Sequence, residues 1–456
     1  MEKTNQLKEG QRFYLTIKRL GINGEGIGYY KKKIVFVPNA LPDEIIVAQA
    51  TQIKPKYIMA KIRQIKQKSP DRIKPLDQYD VGGIELAHLK YEKQLEFKRD
   101  VILQALEKFK PKNFKNYELK KTLGMKNPVA YRNKAQFQVQ KTKTGQVIAG
   151  LYKPNSHQLV DLPTFSTQRP LTLAIIRKIC TFLEELDISI YNEKKHHGWL
   201  KTIVVRESFF KQNAQVVLVT TTKQTPKKDV LIAKITQELP KVVSLMQNIN
   251  PKKTSLIWGD ETILLAGSDH IVEKLGDLEF KLSARAFFQL NPVQTKVLYD
   301  EVKKALDLSV NELLLDAYCG VGTIGQYVGQ DAKAIYGMDV IKEAIVDAKY
   351  NAKINNISNT HYEALEANQA IVYFKEQGID FDAMVVDPPR TGLDDKFIDM
   401  VLKTPPKKLV YVSCNASTLA KDLVKLAKTY QIVYLQPIDM FPQTPRTECV
   451  VKLQRK

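Results

Sequence analysis

The first 66 residues contain short runs in which apolar and polar side chains alternate. The stretches RFYLTIKRLG and KKKIVFVPNALPDEIIVAQATQI have strand character, and GINGEGIGYY between them supplies turn residues. This pattern predicts a small antiparallel, OB-like β-barrel over residues 1–66, a fold that often holds single-stranded or looped RNA. Lys31, Lys32 and Lys33 are candidate RNA contacts; a lysine-rich hairpin edge that prevents aggregation is the alternative interpretation.

A helical period follows this β pattern. In YEKQLEFKRDVILQALEKF, residues 91–109, apolar side chains recur at helical spacing with charges between them, which predicts a helix that packs on the C-terminal domain. Residues 67–270 otherwise mix short β patterns such as YRNKAQFQVQ and TIVVRES with two helical stretches. We therefore predict a central α+β domain that contacts RNA, in which Arg132 is a candidate phosphate contact.

The pattern changes again in residues 271–456. The stretches ELLLDAYCGVGTIGQYVG, FDAMVVDPPRTGL and KKLVYVSCNASTLAKDLVKLA each have the form of a near-continuous apolar strand, a loop and the start of a helix. This alternation predicts a doubly wound, Rossmann-like α/β domain, in which ligands bind at the carboxyl ends of the strands. The predicted fold is therefore α/β with three domains.

Charge and composition narrow the class of partner. The 456 residues include 70 Lys and Arg against 49 Asp and Glu, a formal net charge of +21, which favours nucleic acid as a partner. No apolar run reaches the roughly 18 residues needed to span a bilayer, and the start, MEKTNQLKEG, lacks the apolar core of a signal peptide. The four cysteines form no CxxC pair, which suits a reducing compartment. We therefore expect a cytoplasmic protein without membrane association.

Glycine and acidic residues mark the ends of the predicted parallel strands. Gly320 lies in a loop that lets the backbone pass close to a ligand, and Asp339 ends the next strand, where a carboxylate can accept both ribose hydroxyls of an adenosine. Asp387 ends a third strand and is followed by two prolines, which stiffen the loop. Each position alone also fits an ordinary loop. Together they predict the donor site of an S-adenosylmethionine-dependent methyltransferase.

The chain also resembles a known family over nearly its whole length. In order and spacing it is similar to the RNA uracil-5 methyltransferases at ARAFFQLNPVQT, LLLDAYCGVGTIG, VVDPPRTGL, YVSCNASTLAKDL and MFPQTPRTECV. The N-terminal barrel resembles the TRAM domain of that family. The resemblance implies methylation of carbon 5 of uridine in RNA, with S-adenosylmethionine as the methyl donor.

The chemistry of that family requires a nucleophile and a separate base. Carbon 5 of uracil is a weak nucleophile, so a thiolate first adds to carbon 6, and after methyl transfer a base removes the proton on carbon 5. The resemblance implies Cys414 as the nucleophile and Glu448 as the base. A strand end just before a helix can favour the Cys414 thiolate, and partial burial would raise the pKa of Glu448. An inert buried cysteine is the alternative for Cys414 taken alone.

The resemblance extends the predicted donor site and adds one RNA contact. It implies that Gln289, in FFQLN, and Tyr318, beside the glycine loop, also bind the donor. Simple packing beneath the loop is the alternative for Tyr318. Phe287 is a candidate for stacking on a base that has left the RNA stack.

One departure from the family concerns iron. Many members hold an iron-sulfur cluster with four cysteines, three of them in a CxxxxxCGGC segment. This chain has Pro75, Val81 and Ile84 at those three positions and Leu162 at the fourth. These side chains cannot ligate iron as a thiolate does, so we predict no cluster, no other metal site, and apolar packing in its place.

Several hypotheses about the substrate remain open at this stage. The resemblance to the ribosomal branch favours 23S rRNA, and a transfer-RNA enzyme that acts on the T loop is the nearest alternative. A methyltransferase for an exocyclic amine would keep its turnover without Cys414. An RNA-binding or ribosome assembly factor with an inactive domain would not bind S-adenosylmethionine. We expect a monomer.

Overall fold

The structure is a computed structural model that describes residues 7–456. The prediction about a signal peptide therefore lies largely outside the described residues. The N-terminal strands are β1 (Arg12–Leu20), β2 (Gly26–Tyr30), β3 (Lys33–Val37), β4 (Ile45–Ile53) and β5 (Tyr57–Gln67). They close into a barrel in the order β1-β2-β3-β5-β4.

The alternation in the sequence explains the barrel interior. Phe13, Leu15 and Ile17 of β1 are buried, whereas their neighbours in the chain are exposed. Because successive side chains of a strand point to opposite faces, this pattern fills a closed barrel. Four of the strand pairs are antiparallel and the β3–β5 pair is parallel, because β5 returns beside β3 after pairing with β4. The predicted small barrel is confirmed.

A long helix leads out of the barrel region. It is α1 (Tyr91–Phe109), followed by a short 3₁₀ turn and the strand β6 (Glu118–Leu119). The helix ends where Lys110 adopts the left-handed conformation at φ 50°. Its buried face, which includes Phe97, Val101 and Ile102, lies in the same hydrophobic core as residues of the C-terminal sheet.

The central region forms one mixed sheet with helices on one face. Its strands are β7 (Lys134–Lys141), β8 (Val147–Tyr152), β9 (Leu159–Asp161), β10 (Leu200–Glu207), β11 (Ala214–Thr220), β12 (Val242–Ile249) and β13 (Glu261–Gly267). Their order is β13-β12-β11-β10-β7-β8-β9. The helices are α2 (Pro170–Glu185) and α3 (Lys228–Glu238). Their apolar side chains share a core with one face of the sheet.

A hairpin and a helix connect this sheet to the last region. The hairpin strands are β14 (His270–Leu275) and β15 (Leu278–Ser283), and the helix is α4 (Pro292–Leu306). Asn291 caps the helix, because its side-chain oxygen accepts a hydrogen bond from the amide of Gln294 at 3.2 Å.

The last region is a second sheet covered by helices. Its strands are β16 (Leu313–Ala317), β17 (Ala334–Asp339), β18 (Thr360–Ala364), β19 (Ala383–Val386), β20 (Lys408–Ser413), β21 (Tyr430–Ile438) and β22 (Glu448–Arg455). Its helices are α5 (Thr323–Val328), α6 (Lys342–Ile354), α7 (Ala367–Glu376), α8 (Asp395–Lys403) and α9 (Ala416–Leu426).

The order of these strands sets the position of a ligand site. The sheet runs β18-β17-β16-β19-β20-β22-β21-β6, and β16 to β20 are parallel to one another. The chain builds outward from β16 to β18 and then returns to add β19 on the other side. In doubly wound sheets ligands bind at the carboxyl ends of the strands where the order reverses, here β16 and β19. The predicted doubly wound fold is confirmed.

Candidate active site

A cavity of about 860 Å³ opens at the carboxyl ends of β16, β17 and β19. We call it the donor cavity. All five residues that the sequence predicts to bind the donor line it, together with the predicted stacking residue Phe287; the five are Gln289, Tyr318, Gly320, Asp339 and Asp387. Gln289 is buried, whereas the Phe287 ring is 68% exposed and free to meet a large planar ligand. The fold thus brings residues from four separate segments to one space.

The loop after β16 explains why glycine is needed here. Tyr318 has a φ of 66° and Gly320 a φ of 53°, both in the left-handed region, which costs least for glycine. A Cβ atom at Gly320 would have no atom within 4 Å, so this side of the loop is open. The amide of Gly320 donates to Asp339 Oδ2 at 3.0 Å, and the amide of Ile341 donates to Asp339 Oδ1 at 2.9 Å. These bonds fix the carboxylate and leave lone pairs for ribose hydroxyls.

Two further carboxyl groups lie behind the loop. Asp316 is fully buried; its Oδ2 accepts from the amide of Gly325 at 2.7 Å, and its Oδ1 has no hydrogen-bond partner among the described residues. Burial, with smaller contributions from Asp387 and Asp339, raises the pKa of Asp316 to about 8. Burial likewise raises the pKa of Asp387 to about 7, although part of its side chain faces the cavity.

The donor cavity suits S-adenosylmethionine by its chemistry. A ligand with two ribose hydroxyls can bind the fixed carboxylate of Asp339, and a cationic ligand offsets the cost of several carboxyl groups in one buried place. The unsatisfied oxygen of Asp316 indicates that this region is built for a polar partner. Residues 283–289 and 318–324 supply the apolar walls that a flat base requires.

Cys414 and Glu448 lie next to each other at the same edge of the sheet. Strand β20 pairs with β22 in a register that places Ser413 opposite Cys449. One step further along each strand, this register places Cys414 opposite Glu448. The nucleophile and the base that the resemblance implies are thus neighbours, although they are far apart in the sequence.

The electrostatic environment of Cys414 differs from the expectation. The thiol is partly buried and precedes the helix α9, whose first turn is capped by Asn415. Burial and the carboxyl groups of Glu448 and Asp387 nevertheless raise the pKa of Cys414 to about 11, and the Arg390 guanidinium acts in the opposite direction. The sequence motif indicated the helix start but not the acidic groups that face the thiol.

Glu448 has the environment expected of a base. Only 4% of its surface is exposed, and burial, with a contribution from Asp387, raises the pKa of its carboxyl to about 8. The cations Arg390 and Lys98 act against this rise. A base is most effective when its pKa is close to the working pH, so the burial of Glu448 favours proton abstraction.

A second groove, of about 530 Å³, gives access to Cys414. We call it the Cys414 groove. Arg390, from the loop after β19, and Arg446, from the loop before β22, line it. Helix α1 contributes Lys108, and the β1–β2 loop of the barrel contributes Ile22 and Asn23. The cationic side chains suit a polyanion. The sequence interpretation missed Arg390 and Arg446, although both stand inside the quoted motifs VVDPPRTGL and MFPQTPRTECV.

The remaining predicted RNA contacts lie apart from these two spaces. Lys31, Lys32 and Lys33 are exposed at the β2–β3 hairpin, and the first two have positive φ values of 44° and 69°. The guanidinium of Arg132 lies 5.9 Å from the ring of Phe441, and its Nε has no hydrogen-bond partner among the described residues. None of these four residues lines the donor cavity or the Cys414 groove.

The positions of the missing cluster cysteines are filled by packing. Val81, Ile84 and Leu162 are buried members of one hydrophobic core, and Pro75 is partly exposed. These residues do not fit an iron-sulfur cluster, because none supplies a thiolate. Among residues 7–456 no three His, Cys, Asp or Glu side chains are grouped as metal ligands.

Hydropathy adds one observation about membranes. Across the described part of the chain, every helix is too short or too polar to cross a bilayer.

Comparison with known proteins agrees with the fold. Residues 90–456 match the model of the family described as tRNA (Uracil-5-)-methyltransferase, and residues 6–62 match the TRAM domain. A protein of Lactiplantibacillus plantarum, described as an uncharacterized RNA methyltransferase, is 56% identical over 449 residues, which cover 98% of this chain and 93% of the relative. An Enterococcus faecalis protein of the same description is 51% identical over 456 residues, 99% of this chain and 100% of the relative.

A solved structure with the same architecture supports the same assignment. The crystal structure of Pyrococcus abyssi tRNA (uracil-54, C5)-methyltransferase in complex with S-adenosyl-L-homocysteine is 28% identical to this chain, with a TM-score of 0.77. The match covers 96% of this chain and 99% of that protein. Together with the donor cavity and the paired Cys414 and Glu448, these matches show that the chain belongs to the tRNA (uracil-5-)-methyltransferase family and is an S-adenosylmethionine-dependent RNA uracil-5 methyltransferase with an N-terminal TRAM domain.

Proposed function

We propose that this protein methylates carbon 5 of uridine in 23S rRNA through a covalent bond between Cys414 and carbon 6 of the base. The observation that carries the proposal is the pairing of Cys414 with Glu448 beside the donor cavity. A reaction at an exocyclic amine would need neither a thiol nor a separate base at this place. The register of β20 and β22 supports the covalent route.

The proposed steps balance as follows. The Cys414 thiolate adds to carbon 6, and the electron pair of the double bond moves into an enolate. When bound, S-adenosylmethionine would supply the methyl group that carbon 5 takes up, and its carbon–sulfur bond would break to leave S-adenosylhomocysteine. Glu448 then removes the proton on carbon 5, the double bond re-forms, and the Cys414 thiolate leaves. The resting thiol must first lose its proton to solvent in the Cys414 groove, and the nearby Arg390 guanidinium favours this ionisation.

The environments of Glu448 and Asp387 support the roles proposed for them. A carboxyl group with a pKa near 8, as in Glu448, is a stronger base towards the proton on carbon 5 than an ordinary carboxylate, and it returns that proton to solvent as the pH approaches 8. Asp387 lines the donor cavity, and its charge acts on both Cys414 and Glu448, which suits a residue that orients donor and base. We therefore propose Gln289, Tyr318, Gly320, Asp339 and Asp387 as the donor-binding set.

The target uridine must leave its stack to reach Cys414. The Cys414 groove opens to Cys414, and its cations can hold the phosphates on either side of the target uridine. Phe287 lines the neighbouring cavity and offers an exposed ring for stacking. We propose Lys31, Lys32, Lys33 and Arg132 as additional contacts to RNA outside the groove.

We propose that the protein acts as a monomer. We also propose that it acts in the cytoplasm, because its proposed substrate is made and assembled there.

Transfer RNA is the second candidate substrate. The full-length structural match to a tRNA (uracil-54, C5)-methyltransferase favours it, because that protein has the same length and architecture. The presence of a TRAM barrel therefore does not by itself separate the ribosomal from the transfer-RNA substrate.

The experiment that decides is a map of 5-methyluridine in 23S rRNA and in transfer RNA from cells with and without this protein. We expect loss of the modification at one or more sites of 23S rRNA and recovery when the gene is restored, but not when Cys414→Ala is expressed. Loss confined to the T loop of transfer RNA would favour the second candidate. Unchanged maps of both would contradict the proposal.

A further inference from the structure

The segment that leads into Glu448 is held by buried polar side chains from distant parts of the chain. Residues 439–447 connect β21 to β22. Asn291 Nδ2 donates to the carbonyl of Met440 at 3.0 Å, and the Tyr131 hydroxyl donates to the carbonyl of Pro442 at 2.9 Å. These bonds fix the backbone of the segment just before the proposed base.

Helix α1 contributes most to this segment. Gln94 is buried; its Oε1 accepts from the amide of Gln443 at 2.9 Å, and its Nε2 donates to the Gln443 side chain, also at 2.9 Å. The Tyr91 hydroxyl donates to Asp439 Oδ2 at 2.7 Å. The same helix packs on α9, which follows Cys414, so one helix contacts the supports of both catalytic candidates.

Lys98 is the cation at the centre of this contact. Its side chain is fully buried, and its Nζ donates to Asp439 Oδ1 and, at 2.9 Å, to the carbonyl of Phe441. Asp439 is also fully buried. Burial lowers the pKa of Lys98 and Asp439 acts in the opposite direction, so an apolar side chain would cost less to bury at this position.

The charge of Lys98 also reaches Glu448. The groups that face the Glu448 carboxyl are Asp387, which raises its pKa, and Arg390 and Lys98, which lower it. Arg390 is exposed and lines the Cys414 groove, where RNA phosphates would compete for it. Lys98 is inside the protein and is paired there with Asp439, so its effect on Glu448 does not depend on bound RNA.

We propose that Lys98 is a positioning residue for proton abstraction: through Asp439 and residues 439–447 it holds Glu448 in place, and its charge stabilises the carboxylate form of the base. This inference rests on the proposed function, since it assumes that Glu448 removes the proton on carbon 5. It assigns to helix α1 a role in the elimination step, separate from donor binding.

The test measures how fast the covalent protein–RNA adduct breaks down as a function of pH. A uridine-containing RNA hairpin and S-adenosylmethionine are mixed with the full-length protein, and the adduct is followed on denaturing gels. We expect Lys98→Met to move the acid limb of the pH–rate profile to higher pH by about one unit. The reason is that the Glu448 carboxyl group is harder to ionise without a nearby cation. At pH 7 the breakdown of the adduct is then about tenfold slower than in the unmodified protein. At a pH above the Glu448 pKa of both proteins, most of the lost rate is recovered.

Lys93→Met is the matched control. Lys93 lies on the same helix, and its side chain forms an exposed ion pair with Glu96 at 2.8 Å. This ion pair does not involve residues 439–447. We expect its pH profile to coincide with that of the unmodified protein. Binding of S-adenosylmethionine, measured by calorimetry, reports whether each variant is folded.

A second variant keeps the inference testable if Lys98→Met fails to fold. In Asp439→Asn the buried Lys98 loses the carboxylate that keeps it charged, so the acid limb again moves to higher pH. A purely structural role would lower the breakdown rate at every pH without moving the limb. An unshifted limb in either variant would overturn the inference. If the unmodified protein formed neither adduct nor 5-methyluridine, the proposed function itself would fail, and this inference with it.

Discussion

The donor cavity and the Cys414 groove lie at the same edge of one sheet but are built in different ways. The cavity takes its lining mainly from residues 283–389, in which each loop follows its own strand. The groove combines Cys414 with the barrel residue Asn23 and the helix residue Lys108. The donor cavity is therefore local in the sequence, whereas the surroundings of Cys414 depend on contacts across the whole chain.

This difference has a physical reason. A methyl donor is small, and loops at the switch point of one sheet can surround it. An RNA is large, and a base that has left its stack must be held while its phosphates are held elsewhere. The barrel, α1 and the loops that carry Arg390, Cys414 and Arg446 meet around one groove, which suits that purpose. Substitutions in the two spaces should therefore affect different measurements.

The largest expected effect comes from Cys414, the proposed nucleophile. Cys414→Ala should reduce formation of 5-methyluridine by at least about a thousandfold, because carbon 5 cannot be activated without addition at carbon 6. Binding of S-adenosylmethionine, measured by calorimetry, should remain within about twofold, because the donor cavity does not include Cys414. Cys180→Ala, in the core of the central domain, is the control and should retain activity. Turnover by Cys414→Ala would contradict the covalent route and favour an exocyclic amine.

The second prediction concerns the donor cavity alone. Asp339→Ala should weaken binding of S-adenosylmethionine by about tenfold to a hundredfold, because hydrogen bonds to a charged group contribute about 1.5–3 kcal/mol. Binding of an RNA hairpin, measured by filter retention, should stay unchanged. The exposed Asp331→Asn is the matched control near the start of the same strand. An equal loss of RNA binding in Asp339→Ala would show that the two spaces are not independent.

The same contrast explains what the sequence could predict. Gly320, Asp339 and Asp387 each follow a recognisable strand, so periodicity and residue type placed them at one edge of a sheet. The barrel was predictable for a similar reason, because alternation in β1 directly encodes its interior. The resemblance supplied Cys414 and the base, whose adjacency then follows from the β20–β22 register.

The sequence could not predict the contacts between residues that are far apart along the chain. Lys98 is separated from Asp439 by 341 residues. The helical spacing of apolar residues in α1 predicts only that Lys98 lies in a helix. The pKa of Cys414 is raised by burial and by the carboxyl groups of Glu448, on β22, and Asp387, just after β19, which no local pattern reports. The parallel β3–β5 pair likewise depends on how the barrel closes. Local rules predict elements, but the electric field at a residue depends on which elements meet.

The third prediction tests the cost of the buried carboxyl groups. The pKa of Asp316 is raised from 3.8 to about 8 by burial, so the folded state holds a proton that the unfolded state releases. The stability from this group is fully present below about pH 4 and is lost as the pH rises towards 8. Asp316→Asn cannot titrate, so the melting temperature of the variant should fall less over this range.

The difference should be large enough to measure without ligand. One pKa unit corresponds to about 1.4 kcal/mol, so the loss of stability between pH 4 and 8 amounts to several kcal/mol at most. Asp331→Asn, which is exposed, should follow the unmodified protein at every pH. Parallel pH profiles for Asp316→Asn and the unmodified protein would contradict the buried, protonated state of Asp316.

The smallest expected effect concerns the barrel hairpin. Replacing Lys31, Lys32 and Lys33 with alanine should weaken RNA binding only moderately, because these side chains lie outside the Cys414 groove. If all three contact phosphates, the slope of log K against log salt should become shallower by about 2, since each contact on single-stranded RNA contributes about 0.7. A triple alanine variant at the exposed Lys194, Lys195 and Lys228 of the central domain should keep the original slope. An unchanged slope in the hairpin variant would restrict the RNA contact of the barrel to the β1–β2 loop beside Cys414.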